Sequence, residues 1–349
     1  MSIEAIEDAY QRLHRTGPEW GENTLTNHGP MVAETLARRG RSSNVDGWLN
    51  NYVRRLEALP SRRGEISEQD WIGALGDPHR ITDWIAHFTR QVAERPWRDV
   101  LGQWWPRLLP GVAAGTTHGV IRVGHVVRIL LTGQHGPSAL HELAHGLAFW
   151  AARYRPVPGA GAPTGGLSPQ PALEALARVP DQTGTVAVRF GRLANLPGWP
   201  ESVAALRPAA DAHDARARLI DLISAATIRY LDNGQASPVL LVHTATAPNA
   251  VLHTLPALEE DLWVPSLNAV WAAVAAIDSA YAPHAATRSR QMVIPFHPDP
   301  VDWIFDEAVA HGDEHVIKFA DTAVDVYNWS NNPAALAAAT YAMRLLPKP

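Results

Sequence analysis

The amino-acid sequence predicts an all-α, mainly helical protein with a single large helical domain over residues 1–349 and at most a few short strands. Apolar residues recur at three- and four-residue intervals through most of the chain, which is the spacing of one face of a helix. Convincing alternation of the strand type occurs only in Gly184–Phe190. Hydrophobic residues make up 46% of the chain and charged residues 19%, so a sizeable core is feasible.

The helical pattern divides the chain into a series of amphipathic segments. It covers residues 2–14, 28–39, 44–58, 80–94, 118–131 and 138–153, and then 201–230, 238–255, 266–280, 301–311, 314–327 and 333–345. Asp313 is expected to cap the helix that follows it, and Ser237-Pro238 opens another in the preferred order of cap and proline. Pro248 should kink that second helix about one turn after His243.

Two shorter features complete the predicted architecture. The run TVAVRF in Gly184–Phe190 favours one short strand. The segment Pro156–Pro171 is rich in proline and glycine, so it is predicted to be a loop and is the only plausible domain boundary. Because candidate metal ligands fall on both sides of this loop, one domain with a long excursion is preferred over two domains.

Charge and hydropathy exclude several classes of partner. The formal net charge is −5 and no long basic run occurs, so nucleic acid and anionic membrane surfaces are poor candidates. The first twenty residues have no apolar signal core, and no uninterrupted apolar stretch approaches the length of a membrane span. These observations predict a cytoplasmic protein.

The chain contains sixteen histidines and no cysteine. Disulfides, thiolate zinc sites, iron–sulfur clusters and thiol nucleophiles are therefore excluded, and any metal must be held by nitrogen and oxygen. Among thirty basic residues only Lys318 and Lys348 are lysines, and Lys348 is the penultimate residue. Either Lys318 escaped a bias towards arginine by chance, or position 318 needs a primary amine, which arginine cannot supply.

The most recognisable metal motif is HExxH, formed by His141, Glu142 and His145. On a helix this motif places two imidazoles on one face with a glutamate beside them, as in zinc peptidases. The metzincin extension is missing, because Ala148 and Ala151 stand where glycine and histidine are needed. A zinc metallohydrolase using these three residues is one alternative, and a hydrogen-bonded face of an ordinary helix is the other.

A second set of candidate ligands is dispersed along the chain. His28 and His118 each open a predicted helix, and His243 lies within another. His315 and Lys318 are three residues apart, so they share one helical face. Spacing alone does not select these residues, because sixteen histidines allow too many combinations.

The segments that carry this second set resemble the questin oxidase family, whose fungal members open the ring of hydroxyanthraquinones in polyketide biosynthesis. The resemblance extends from about residue 25 to residue 330, and the sequences NHGPM and LAFWAARY are especially similar to the bacterial branch. The shared features are Asn27-His28 twelve residues before Gly40, the HGVI segment at His118, His243 followed by Thr244-Ala245, and His315-Val316-Ile317-Lys318.

The resemblance implies a metal-dependent oxygenase of secondary metabolism. Family members that cleave anthraquinones as dioxygenases use non-haem iron held by four histidines and a carboxylated lysine. Here the resemblance implies Fe(II) bound by His28, His118, His243, His315 and Lys318, with Lys318 as a carbamate formed from CO2. The implied reaction uses O2 to cleave a C–C bond in a hydroxylated anthraquinone-like or other aromatic polyketide ring.

The sequence departs from the fungal pattern at two places. Gly29-Pro30-Met31 stands where fungal members carry extra histidines, and Arg122 stands where they have a second histidine in an HPLIH-like segment. Arg122 lies one turn after His118, so it is a candidate for binding a substrate phenolate. An exposed salt bridge is the plainer use of this arginine.

Several alternatives stay open at this point. A catalytically silent member that binds an aromatic product would have lost a ligand, and no candidate ligand is missing from the sequence. The expected partners are a small aromatic substrate and O2. NADPH or another reductant, a homodimer, and a monooxygenase rather than a dioxygenase outcome are further options.

Overall fold

A computed structural model describes residues 2–22, 24–285 and 297–349, and within them the chain is mainly helical. It divides into two compact units, the first of which comprises Met1–Pro156 and His253–Glu259. The elements of the first unit are α1 (Ile3–Leu13), β1 (Glu19–Trp20), β2 (Leu25–Thr26), α2 (Gly29–Arg38), α3 (Val45–Tyr52), α4 (Trp71–Ala74), α5 (Ile81–Glu94), α6 (Trp97–Leu108), α7 (His118–Leu131) and α8 (Pro137–Ala152).

The second unit comprises Val157–Leu252 and Glu260–Pro349. Its described helices are α9 (Pro169–Glu174), α10 (Val186–Leu193), α11 (Trp199–Ala204), α12 (Ala212–Asn233), α13 (Pro238–Leu241), α14 (His243–Thr254, whose last two residues belong to the first unit), α15 (Trp263–Tyr281), α16 (Pro300–His311), α17 (Glu314–Ser330) and α18 (Pro333–Leu345).

The core of the first unit lies between α7, α8 and their neighbours. Helix α8 packs against α1, α5 and α7, and α2 packs against α1 and α7. Gly119 lets α7 approach α8 closely, since a Cβ atom at this position would lie 2.8 Å from the Trp150 side chain. The buried Trp150 indole donates a hydrogen bond to the carbonyl of Gly111 at 3.1 Å. This packing places the first residues of α2 and α7 near each other.

In the second unit, α12 is the central helix. It packs against α9, α15, α17 and α18, and α17 also packs against α16 and α18. The buried Trp271 indole donates a hydrogen bond to the carbonyl of Val203 at 2.8 Å, which ties α15 to α11. Helix α17 is buried along most of its length.

The predicted helical class is confirmed, and so is the cap at Asp313. Its carboxylate accepts hydrogen bonds from the backbone N–H groups of His315 (2.9 Å) and Val316 (3.0 Å). The boundary between the units falls between Pro156 and Val157, at the start of the predicted loop. The prediction of a single domain stays a prediction.

The predicted strand at Gly184–Phe190 is wrong, because this segment begins helix α10. The Thr185 side chain caps the helix by accepting a hydrogen bond from the backbone N–H of Val188 at 3.4 Å. Phe190 and Leu193, three residues apart, are the positions that become buried. Over so short a run, the apolar residues fit both the two-residue period of a strand and the 3.6-residue period of a helix. The cap at Thr185 and the helical spacing of the buried residues favour the helix.

Two predicted helices have different bounds from those expected. The segment 201–230 forms two helices, α11 and α12, because Asp211 starts a new helix by accepting a hydrogen bond from the N–H of Asp214 at 2.8 Å. The segment 238–255 is interrupted at Val242, which lies before His243, whereas Pro248 stays inside α14. The break therefore places His243 at the first position of a helix.

One stretch among the described residues, Glu260–Tyr281, has the length and mean hydropathy of a membrane span. The stretch is not uninterrupted in apolar residues, because it includes Glu260, Asp261 and Asp278. Within its apolar window 67% of the stretch is buried inside the structure, as is usual for the core helix of a soluble protein.

Candidate metal centre

His28 is held at the start of α2 by its neighbours in the chain. The Asn27 amide donates hydrogen bonds to the Thr16 hydroxyl and the Gly17 carbonyl, both at 3.0 Å, and its oxygen accepts one from the Gly29 N–H. The His28 N–H donates to the Tyr52 hydroxyl at 2.6 Å. These bonds fix the backbone on both sides of a side chain that is only 4% exposed.

His118 follows a left-handed turn. Gly115, Thr116 and Thr117 have φ angles of 51°, 58° and 70°. This conformation is uncommon for a β-branched residue such as threonine, and residues held in it cluster at functional sites. The turn brings the Gly115 carbonyl within 2.5 Å of Nδ1 of His118. When Nδ1 carries the proton and donates to this carbonyl, Nε2 keeps its lone pair for a metal.

The first unit brings these two histidines together. Their Nε2 atoms are 2.7 Å apart, and their ring planes meet at 67° with centroids separated by 4.6 Å. This distance fits an N–H···N hydrogen bond between the rings. It is also near the separation of about 2.9 Å that two imidazole nitrogens have when they bind one ion at right angles. The pair can therefore supply two nitrogen ligands.

In the second unit His243 lies near His315, and Lys318 follows His315 by one turn on α17. The rings of His243 and His315 meet at 66° with centroids 5.9 Å apart. Nδ1 of His315 lies 3.6 Å from the Asp313 carboxylate. Burial by itself would raise the pKa of Asp313, but the hydrogen bonds and charge of His315 and the Val316 N–H lower it. Asp313 thus stays anionic and can orient the His315 ring.

Lys318 lies one turn after His315 and is 2% exposed. Its Nζ atom is buried and has no hydrogen-bond partner among the residues that the structure describes. Burial lowers the pKa of Lys318 to about 7, although the charges of Glu314 and Asp313 act in the opposite direction. A large fraction of this amine is therefore neutral near pH 7 and has a free lone pair.

The five predicted ligands thus fall into two groups. His28 and His118 are adjacent in the first unit; in the second, His243 is near His315, and Lys318 lies one turn after His315. All five side chains are buried, with at most 8% exposed. Their union in one metal centre stays a prediction.

Glu142, the glutamate of the HExxH motif, forms an ion pair with Arg122. The buried Glu142 carboxylate accepts hydrogen bonds from Nε (2.5 Å) and Nη2 (2.9 Å) of Arg122. Nε2 of His14 lies 3.1 Å from the same carboxylate. Burial would raise the pKa of Glu142, yet the charge and hydrogen bonds of Arg122, helped by His14, lower it to about 2. This carboxylate is therefore poorly suited to act as a general base near neutral pH.

His14 was not singled out in the sequence, although it lies against both histidines of the motif. Its ring stacks on His145 at 4.6 Å with an angle of 23° between planes, and its centroid is 6.0 Å from that of His141. Nearly parallel rings direct their nitrogen lone pairs side by side, so His14 and His145 do not converge well on one ion. The zinc alternative, which uses His141, Glu142 and His145, stays a prediction.

The structure changes the interpretation of Arg122. The expectation of an exposed salt bridge is wrong, because the side chain is 3% exposed and pairs with the equally buried Glu142. A buried pair of this kind needs both partners, since removing one leaves an uncompensated charge. A role for Arg122 in binding a phenolate stays a prediction.

A comparison with protein families identifies the chain. The family model described as Questin oxidase-like matches residues 45–323, which is most of the chain. The chain belongs to the questin oxidase-like family. It is therefore an oxidoreductase of the oxidase or oxygenase type, in a family associated with aromatic polyketides and secondary metabolism. No curated protein matches the sequence.

The extent of the match bears on the candidate ligands of this questin oxidase-like protein. His118, His243, His315 and Lys318 lie inside the matched range, whereas His28 precedes it. The assignment of His28 therefore depends on the resemblance of the NHGPM segment and on its contact with His118.

Proposed function

We propose that this questin oxidase-like protein is a non-haem Fe(II)-dependent oxygenase, most simply a dioxygenase. Its substrate is a hydroxylated anthraquinone-like or other aromatic polyketide, in which it cleaves a ring C–C bond with O2. The observation that carries the proposal is the buried Lys318 amine, which lies one turn from His315 and has no hydrogen-bond partner in the described part of the chain.

The donor set fits a divalent iron ion. The chain has no thiolate, so its nitrogen donors are imidazoles, which suit Fe(II). The Gly115 carbonyl favours the His118 tautomer whose Nε2 can bind a metal, and the Asp313 carboxylate lies 3.6 Å from Nδ1 of His315. His28, His118, His243, His315 and the Lys318 carbamate would hold the ion. The bound ion would supply the site at which O2 is activated.

Lys318 can become the anionic ligand only after it loses its proton. The lone pair of the neutral Nζ attacks the carbon of CO2, an N–C bond forms, one C=O π bond becomes a C–O⁻ group, and one proton leaves the nitrogen. The product is a carbamate, which is a carboxylate on a long arm. The burial that lowers the pKa of Lys318 to about 7 supports the first step, because the free amine is already abundant near neutral pH.

The surrounding residues act by orientation and by exclusion of water. The hydrogen bonds of Asn27 and Tyr52 hold the backbone at His28, and Asp313 fixes the start of α17 and hence His315. Because the five side chains are at most 8% exposed, water has little access to them. Such preorganisation keeps ligands in place while a flat aromatic substrate binds.

Purification without oxygen, followed by elemental analysis and an activity assay, tests the proposal. We expect about one iron per chain, binding of a hydroxyanthraquinone without turnover, and ring cleavage once O2 is admitted. Labelled O2 should enter the product. A protein that retains zinc and hydrolyses a peptide without O2 would overturn the proposal. A metal-free protein that binds the aromatic compound without turnover would also overturn it and indicate a silent binder.

A further inference from the structure

Four indole rings form a chain across the first unit, from α4 through α6 to α8. Trp104 and Trp105 are consecutive residues of α6, so their side chains point about 100° apart around the helix. Trp104 faces α4, where the centroid of its ring lies 5.2 Å from that of Trp71 and the planes meet at 76°. Trp105 faces α8, where its ring lies 5.2 Å from that of Trp150 and the planes meet at 89°. Both pairs have the edge-to-face geometry that aromatic rings prefer.

The two ends of this chain of indoles have different surroundings. Trp71 is partly exposed at the start of α4. Trp150 is fully buried and lies against α7. A Cβ atom at Gly119 would be 2.8 Å from Cβ and 2.9 Å from Cγ of Trp150, and Gly119 directly follows the candidate ligand His118. The four indoles therefore connect the surface at α4 with the backbone beside His118.

The composition of the protein favours indole as the side chain that exchanges electrons. The chain has no cysteine and only four methionines, so the usual sulfur targets of oxidation are scarce, but it has thirteen tryptophans. Indole gives up one electron more readily than most side chains, and electrons pass readily between rings in contact because transfer weakens steeply with distance. The step between Trp104 and Trp105 crosses a single peptide bond, which joins Cα atoms about 3.8 Å apart.

We propose that Trp71, Trp104, Trp105 and Trp150 form a path for single electrons between the surface and the region of His118. The inference rests on the proposed function for its oxidant, a one-electron oxidant formed from O2 when no aromatic substrate is bound. Trp150 gives an electron to this oxidant, and each indole regains its electron from the next one along the path. Trp71 regains its electron from a reductant in solution, such as ascorbate or a thiol. The net change is the transfer of one electron from reductant to oxidant, and no indole is consumed.

Arg107 lies over both rings at the outer end of the path. Its guanidinium carbon is 5.0 Å from the ring centroid of Trp71 and 4.9 Å from that of Trp104. A cation–π contact stabilises the neutral indole and opposes the positive charge of an oxidised one. The positive charge therefore reaches Trp71 against this opposing field, and reduction of Trp71 from solution makes the transfer one-way.

The path can be tested in the metal-free protein, because an oxidant in solution should draw electrons along the same rings. A photo-oxidised tris(bipyridine)ruthenium complex is a one-electron oxidant that is too large to enter the protein. It should oxidise the partly exposed Trp71, which then takes electrons from the buried indoles. Trp105 and Trp150 are each 0% exposed, but O2 is small enough to reach them, so addition of oxygen there records the transfer. Peptide mass spectrometry locates the added oxygen.

Three variants define the route. Trp71→Phe removes the outer indole, Trp104→Phe interrupts the path, and Trp329→Phe is the control, because Trp329 is 39% exposed and lies on α17 in the second unit. We expect oxygen addition at Trp105 and Trp150 in the unaltered protein and in the control, and its loss to the level of unilluminated protein in the other two variants. If circular dichroism shows that Trp104→Phe does not fold, Trp71→Phe decides the test. Oxidation of both buried indoles that is unchanged in the folded variants overturns the path, and so does its absence from the unaltered protein.

The iron-loaded protein tests the protective use of the path. During exposure to O2 and ascorbate without aromatic substrate, Trp71→Phe should gain more oxygen at Trp150 and His118 than the unaltered protein does. Equal oxidation of the two proteins overturns the protective role. A protein that binds no iron overturns the proposed function but does not alter the result of the metal-free experiment, so the two failures are distinguishable.

Discussion

Glu142 in the first unit and Lys318 in the second are both buried ionisable side chains on helices, but their surroundings differ. Glu142 has two hydrogen bonds from Arg122 and a contact with His14. The Lys318 Nζ atom has no hydrogen-bond partner in the described residues. A charge that is fully paired within the protein has no need of a ligand. A buried amine without a hydrogen-bond partner lowers the stability of the fold. A role in chemical reaction or in ligand binding would explain why such an amine is present.

The two groups also shift the balance between folded and unfolded states in opposite directions. The pKa of Glu142 is lowered to about 2, chiefly because Arg122 outweighs the effect of burial, so its charged form stabilises the fold. The pKa of Lys318 is lowered to about 7 by burial, so its charged form destabilises the fold. We expect one residue to serve stability and the other to serve function at the expense of stability.

The largest expected effect is the loss of metal from variants of Lys318. Lys318→Ala and Lys318→Arg should both lower iron retention at least a hundredfold, because guanidinium stays protonated and cannot take up CO2. Lys318→Glu should rescue poorly, since glutamate is several atoms shorter than the carbamate. Iron per chain is the measurement, and Lys348→Arg, at an exposed terminal position, is the control. Full iron retention in Lys318→Arg would contradict the carbamate.

Histidine variants should separate the two metal alternatives. His28→Ala or His243→Ala should abolish metal retention, whereas His141→Ala should leave most of it, because the latter belongs to the network around Glu142. Elemental analysis measures the outcome, and circular dichroism shows whether each variant folds. Equal loss of metal in the His141 and His145 variants, with the dispersed histidines dispensable, would reverse the assignment.

Replacing Glu142 should mainly reduce stability. Glu142→Gln leaves the buried Arg122 without its counter-charge, which costs about 3–5 kcal/mol in the free energy of unfolding. A carboxylate with a lowered pKa stabilises the fold above its unfolded pKa of about 4.3, and this contribution is lost as the pH falls towards 2. The deficit should therefore be largest above pH 5 and should shrink on acidification.

Urea denaturation between pH 3 and pH 7 measures this deficit. The exposed Glu174→Gln variant is the control, because it should differ little from the unaltered protein at any pH in the range. A deficit that is independent of pH would mean that packing, and not the charge of Glu142, accounts for the loss.

The smallest and most specific expectation is that Lys318→Met stabilises the protein when metal and CO2 are absent. The unfolded lysine, with a pKa of about 10.4, binds a proton that the folded one releases near pH 7. This penalty is fully present below pH 7, where it amounts to a few kcal/mol, and it fades as the pH rises to about 10.4. Thermal unfolding of the metal-free protein at several pH values measures it. An unchanged midpoint near pH 7 would show that burial of Lys318 costs little.

The sequence predicted the elements whose signals are local. Helix α7 has the predicted bounds 118–131, and the cap at Asp313 forms as expected. Lys318 stood out because arginine supplies nearly all the positive charge. Helix α6 was missed because Pro106 lies inside it and a Trp-rich run obscures its period.

Features that arise from tertiary packing could not be predicted in the same way. The place of His14 beside Glu142 and His145 results from the packing of α1 against α8, and no spacing in the sequence indicates it. The burial of Arg122 depends on Glu142, which is twenty residues away on another helix.

Because the chain has only two lysines, chemical labelling of amines can be followed at each of them separately. Amine-reactive reagents have only Lys318, Lys348 and the chain's first amino group to modify, and Lys348 is exposed whereas Lys318 is 2% exposed. Mass spectrometry of a time course should show rapid acylation at Lys348 and slow acylation at Lys318. The slow rate reports how often the second unit opens around α17. A carbamate on Lys318 would block the reaction, so the addition or removal of CO2 becomes visible as a change in labelling at one residue.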